Sequence, residues 1–156
     1  YIDWLITVPL QIVEFYLILA AITIVPVALF WRLLIYSLVM LVFGYLGEAG
    51  FMNVTLGFVI GMAGWLLILY EIFAGEASKI NADSANASCQ KAFNALRLIV
   101  TIGWAIYPIG YVFGYLLESS NINAVNIIYN YADLINKTAF GLVIWAAAIK
   151  DSEASA

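Results

Sequence analysis

Five stretches of roughly 20 apolar residues constrain this chain more than any other feature, because that is the length a helix needs to cross a ~30 Å hydrocarbon core. They fall at about 1–24, 27–47, 52–74, 92–117 and 122–149. Pro26 has no amide hydrogen and closes the first, and Gly47-Glu48-Ala49-Gly50 reads as a short polar turn after the second. Residues 75–91, with Lys79, Asp83 and Lys91, read as one long polar loop. Glu118-Ser119-Ser120-Asn121 separates the last two stretches, and Asp151 to Ala156 forms a polar tail. The predicted fold is all-α, a polytopic transmembrane helix bundle in a single domain over residues 1–156.

Composition agrees, with 65% hydrophobic and 10% charged residues and a mean hydropathy of +1.01. The net charge of −4 and the lack of any basic run exclude nucleic acid as an expected partner and leave the lipid bilayer. A single cysteine, Cys89, and no histidine leave no disulfide framework and no expected metal site. Asn53-Val-Thr55, Asn86-Ala-Ser88 and Asn136-Lys-Thr138 match the glycosylation pattern by chance. The chain opens at Tyr1 directly into an apolar segment, with no methionine or charged leader, so it is expected to be a fragment lacking an N-terminal part.

The basic residues orient the bundle. Arg32, Lys79, Lys91, Arg97 and Lys150 all fall by the first and third connections or after the last stretch, while the second and fourth carry Glu48 and Glu118. The positive-inside rule makes the basic side cytoplasmic, with the C-terminus inside.

Lys137 breaks that pattern, standing near the middle of the fifth stretch with Asp133 one helical turn before it. A lysine at the bilayer midplane costs between ~2.5 and more than ~10 kcal/mol, depending on the reference, and is normally paired and functional. Two readings remain: a structural ion pair with Asp133 on one helix face, or an amine kept dry to form a covalent adduct with a carbonyl compound. The first stretch adds Asp3 and Glu14. Their separation is about 16 Å, close to three whole turns, so they share a face. With Lys137 between them in depth, the three groups have the layout of a proton relay. A structural role for Glu14 as a buried neutral acid stands beside that reading.

Trp104, Tyr107 and Tyr111 recur on one face of the fourth stretch, beside a proline, Pro108, that kinks the helix. With Trp4 and Trp65 they form either ordinary packing or the walls of a long, flat, apolar ligand site. Gly57-x-x-x-Gly61 and Gly110-x-x-x-Gly114 read as close helix contacts.

The stretches Tyr1-Ile-Asp-Trp-Leu-Ile-Thr-Val-Pro-Leu-Gln-Ile-Val-Glu14, Trp104-Ala-Ile-Tyr-Pro108 and Asp133-Leu-Ile-Asn-Lys137 resemble the third, sixth and seventh helices of microbial (type I) rhodopsins. The resemblance covers the whole chain. It implies helices three to seven of a seven-helix protein that binds all-trans retinal on Lys137 as a protonated Schiff base. It further implies Asp3 as primary counterion and proton acceptor, Asp133 as second counterion and Glu14 as cytoplasmic proton donor. Trp4, Trp65, Trp104, Tyr107, Pro108 and Tyr111 would line the retinal, with Met40 near its ring. The Asp3, Thr7, Glu14 set is similar to that of outward proton pumps, and Gln11 stands where blue-absorbing members carry glutamine. Helices one and two, an arginine before Tyr1 and a histidine partner of the counterion belong to the family pattern and lie outside this chain.

The expected function is a light-driven outward proton pump, not an enzyme, in a bacterial inner membrane and as a homo-oligomer. A retinal photosensor is the first alternative, and Glu14 weighs against it, since a dedicated donor serves fast turnover. A retinal-free proton-coupled transporter built on Asp133 and Lys137 is the second.

Overall fold

The computed structural model describes residues 1–117 and 121–155, and among them every regular element is helical. The elements are α1 (Ile2–Ala20), α2 (Val27–Glu48), α3 (Val54–Phe73), α4 (Glu76–Ser84), α5 (Ala87–Leu98), α6 (Ile106–Tyr111) and α7 (Ile122–Ser155). Two π-helical segments, Ile99–Gly103 and Val112–Leu116, flank α6 and make α5 to Leu116 one long rod. Five helical segments are long and apolar enough to cross a membrane. Large apolar side chains such as Ile24, Ile102, Leu134, Ile135 and Trp145 face outward, which only a hydrocarbon surrounding favours. The chain is an integral membrane protein.

Several boundaries differ from the sequence reading. Helix α1 ends at Ala20, before residue 24, and Pro26 is the N-cap of α2 instead of the stop for α1. The expected loop 75–91 is mostly helical, as α4 and the start of α5. The cause is a side chain inside α3: buried Glu71 accepts from the backbone N–H groups of Glu76 and Ala77 through Oε1, satisfying orphan donors at the start of α4. Arg32 of α2 closes this arrangement by pairing with both Glu71 and Glu76. The expected polar tail continues α7 to Ser155. Of the connection read at 118–121, residues 118–120 lie outside the described residues.

The three apparent glycosylation matches have structural work. Asn53 caps α3 by accepting from Leu56 N–H, and Asn86 caps α5 by accepting from Cys89 N–H. Asn136 is buried and donates to the Gly103 carbonyl.

Packing is closest between α2 and α3, as the Gly57-x-x-x-Gly61 spacing predicts. A Cβ on Gly57 would lie 2.8 Å from Gly47 Cα, and one on Gly64 would lie 2.8 Å from the Met40 nitrogen and Tyr36 oxygen. Backbones this close leave no room for a methyl group. Elsewhere the core is aromatic: Phe15 of α1 meets Phe93 of α5 edge-on at 5.1 Å and Phe140 of α7 at 6.1 Å. These contacts hold α1, which carries Asp3, against α5 and against α7, which carries Lys137.

This packing predicts opposite outcomes at two glycines. Gly64→Leu should lower the thermal unfolding midpoint in detergent by the equivalent of about 1–3 kcal/mol of overpacking. Gly141→Ala, where an added Cβ meets nothing within 4 Å, should hold or raise it through better helix propensity. Equal effects of the two changes would contradict the assigned contact.

Candidate functional site

The polar centre of the bundle is Lys137 on α7. Its Nζ lies 3.1 Å from Asp133 Oδ2 and 2.5 Å from Asp3 Oδ2. The ion pair with Asp133 expected from helix spacing is therefore present, and Asp3 joins it from another helix. The Lys137 side chain is 25% exposed, Asp133 17% and Asp3 63%. The two carboxylates are held differently. Asp133 accepts from Trp4 Nε1 at 2.6 Å and from Tyr107 Oη at 2.5 Å, so three donors fix its position. Lys137 is the only side chain that donates to Asp3 among the described residues, and the Thr7 hydroxyl bonds the Asp3 backbone carbonyl instead.

Helix α7 places its residues by simple periodicity. Tyr129, Asp133 and Lys137 follow at spacings of four, and Asn136 is adjacent, so they share the inward face. Tyr129 Oη donates to the Tyr107 carbonyl at 2.8 Å, immediately before Pro108. Pro108 cannot donate to the ladder, and the rod responds with the two π-helical segments, wide turns of the sort often found at functional sites. Pro108 thus lies in a short α-helical piece between two π-helical segments. Asn136 bonds the Gly103 carbonyl at 3.0 Å, and Trp65 Nε1 bonds the Val100 carbonyl at 3.0 Å. Both bonds fall on backbone groups within or next to the first π-helical segment.

Around this centre lies one cavity with about 800 Å³ of open space, part of it open to the outside. Trp4, Gln11, Met40, Trp65, Trp104, Tyr107, Pro108 and Tyr111 all border it, together with Asp133 and Lys137. Asp3 reaches it through its ion pair with Lys137. Thr7 and Glu14 do not border it. Glu14 is half-buried and makes no hydrogen bond or ion pair among the described residues. Its neighbour Leu17 is exposed, whereas Ile12, Val13 and Phe15 are buried. Sequence reasoning missed Tyr1, Glu48, Phe58, Met62, Tyr129 and Asn136 as cavity residues. Tyr129 and Asn136 were detectable from their position on the Lys137 face. Glu48 had no such signal, since its apparent place was a solvated turn. Its carboxylate accepts from Tyr1 Oη at 2.9 Å.

A cavity with a lysine amine paired to a fixed carboxylate, a second carboxylate at Glu48 and walls of Trp, Tyr and Met fits a long apolar ligand with a single carbonyl end. Retinal has that shape and chemistry. Among the described residues, Lys137 is the one lysine bordering the cavity.

The fold and site define a polytopic membrane protein with a paired lysine at an aromatic cavity, and the chain belongs to a known family: the family model described as bacteriorhodopsin-like protein matches residues 1–151. Its relatives place it near the proteorhodopsins. It is 53% identical over 154 residues to a blue-light absorbing proteorhodopsin of Gamma-proteobacterium Hot 75m4, and 52% identical over 153 residues to a green-light absorbing one of Gamma-proteobacterium EBAC31A08. Each match covers 97% of this chain and 61% of the relative, so the chain spans about three-fifths of their length. The crystal structure of blue light-absorbing proteorhodopsin from Med12 is 58% identical, with a TM-score of 0.79, covering 97% of this chain and 66% of that one. That of Exiguobacterium sibiricum rhodopsin is 34% identical, with a TM-score of 0.85, covering 98% and 71%.

The two donors on Asp133 generate a prediction about the site itself. Trp4→Phe and Tyr107→Phe each remove one hydrogen bond to a charged group, worth about 1.5–3 kcal/mol. Each should lower the unfolding midpoint, and the double variant should depart from additivity, because both donors serve one carboxylate. A double-mutant thermal cycle checks this, and strict additivity would mean that the two donors act independently.

Proposed function

We propose that this chain carries the working centre of a light-driven outward proton pump of a bacterial inner membrane, with all-trans retinal held covalently on Lys137. In this reading the five membrane-length segments correspond to helices three to seven of a seven-helix rhodopsin, and the basic face is cytoplasmic. The observation that carries the proposal is the Lys137 nitrogen between two unequally held carboxylates at an apolar cavity. Retinal supplies light absorption and an isomerisation that changes the surroundings of the Lys137 nitrogen.

The chain's own groups account for the direction of proton movement. Asp133 already accepts from three donors and serves as the fixed counter-charge. Asp3 Oδ2 touches the Lys137 nitrogen and has no other side-chain donor among the described residues, so it is the oxygen free to take a proton. Glu14 lies about 16 Å further along α1. It has no hydrogen-bond or ion-pair partner among the described residues and returns a proton from the cytoplasmic side. Trp4, Trp65, Trp104, Tyr107 and Tyr111 hold the ligand flat and exclude water, and Met40 and Pro108 complete the wall. Gln11, a polar group at the cavity border, tunes the colour towards blue.

Illuminated cells or proteoliposomes containing the intact protein test the proposal. The parent should acidify the outside in light, and Asp3→Asn should abolish that acidification while shifting the absorption band to the red. Undiminished pumping by the variant would remove Asp3 from the acceptor role. Glu14→Gln should leave the dark spectrum nearly unchanged and slow the recovery of the flash-induced signal, with azide restoring speed. Recovery at the parent rate would make Glu14 a structural acid and favour a photosensor. Gln11→Leu should move the band towards green with pumping retained, and an unchanged band would contradict the tuning role.

A further inference from the structure

A second cleft opens between α5 and α7, far along α7 from the paired aspartates. Its polar rim is Ser88 and Lys91 of α5 with Lys150 of α7, and its floor is Val143, Ala146 and Ala147. It is a shallow groove, largely open to the outside. Neither lysine makes an ion pair among the described residues. The nearest acid in sequence, Asp151, accepts from Asn86 Nδ2.

Helical spacing orders this cleft along the membrane normal. Lys150, Ala147, Ala146 and Val143 lie on one face of α7 and descend in that order towards Lys137, the middle of the membrane span. Ser88 and Lys91 are one turn apart at the start of α5, level with the lysine end of the cleft. Charge therefore sits at one end and an apolar track of small side chains leads inward from it. Leu142, Trp145 and Ile149 flank the track and are exposed, so this side of α7 faces hydrocarbon.

We propose that this cleft binds one anionic phospholipid, with its phosphate between Lys91, Lys150 and the Ser88 hydroxyl and an acyl chain over Ala147, Ala146 and Val143. Two cations without a carboxylate partner among the described residues match the headgroup, and basic pockets between membrane helices recognise such headgroups. The apolar track fits the chain of a lipid and gives a free phosphate nothing. The site is independent of the retinal assignment.

Native mass spectrometry of the intact protein, released from vesicles of phosphatidylcholine and phosphatidylglycerol, tests it. The parent should retain phosphatidylglycerol in preference to phosphatidylcholine. Lys91→Gln with Lys150→Gln should weaken that retention about ten-fold or more, whereas Lys79→Gln, a change of an exposed lysine outside the cleft, should leave it intact. Ala146→Trp, which keeps both lysines and fills the track, should weaken it as well, and serves if the double variant does not fold. Parent-like retention in either cleft variant would overturn the proposal. Displacement of the lipid from the parent by inorganic phosphate alone would overturn it too, since the site would then read only the anion.

Discussion

Everything at the centre of this bundle follows from one cation placed where water is scarce. Lys137 lies in an apolar span, and an unpaired ammonium there would be costly. The chain meets that cost with carboxylates from two directions, Asp133 one turn away on α7 and Asp3 across the interface on α1. The second is available only if α1 packs against α5 and α7. That packing is supplied by the contacts of Phe15, about three turns beyond Asp3 on α1, with Phe93 of α5 and with Phe140, less than one turn beyond Lys137 on α7. The aromatic core and the charge cluster therefore both tie α1 to α7.

The same cluster ties the charge to the shape of the cavity wall. Trp4 and Tyr107 each spend a polar atom on Asp133 and an aromatic face on the cavity, and their rings meet at 5.1 Å. Tyr129 stacks near both and bonds the backbone at Tyr107. A wall residue cannot shift without disturbing the carboxylate that balances Lys137. Asp3, bound by Lys137 alone among the side-chain donors, lacks this coupling. One carboxylate is thus built into the wall and the other is left to respond.

Much of this was legible in sequence because membrane spans, an isolated lysine and a carboxylate at helical spacing are local signals. The α1 carboxylates, the aromatic face of Trp104, Tyr107 and Tyr111, and the glycine contacts of α3 all obey a fixed period that one helix reveals by itself. What escaped depended on partners far along the chain. Residues 75–91 look like solvated loop until Glu71, an acid hidden at the end of α3, is seen capping α4 and holding Arg32. Asn136 looks like part of a chance motif until its amide meets the Gly103 carbonyl. Pro108 announced a kink, but its relief into two π-helical segments depends on how the rod packs against α3 and α7.

The central claim is that Lys137 is the reactive amine of the cavity and not merely one half of an ion pair. Its most direct test is the visible spectrum of the intact protein after addition of all-trans retinal, compared with that of Lys137→Ala. The parent should form a visible band that the variant lacks, while substitutions of Lys79, Lys91 or Lys150 leave it in place. A band that survives Lys137→Ala would contradict the account and leave Lys137, Asp133 and Asp3 as a structural charge cluster.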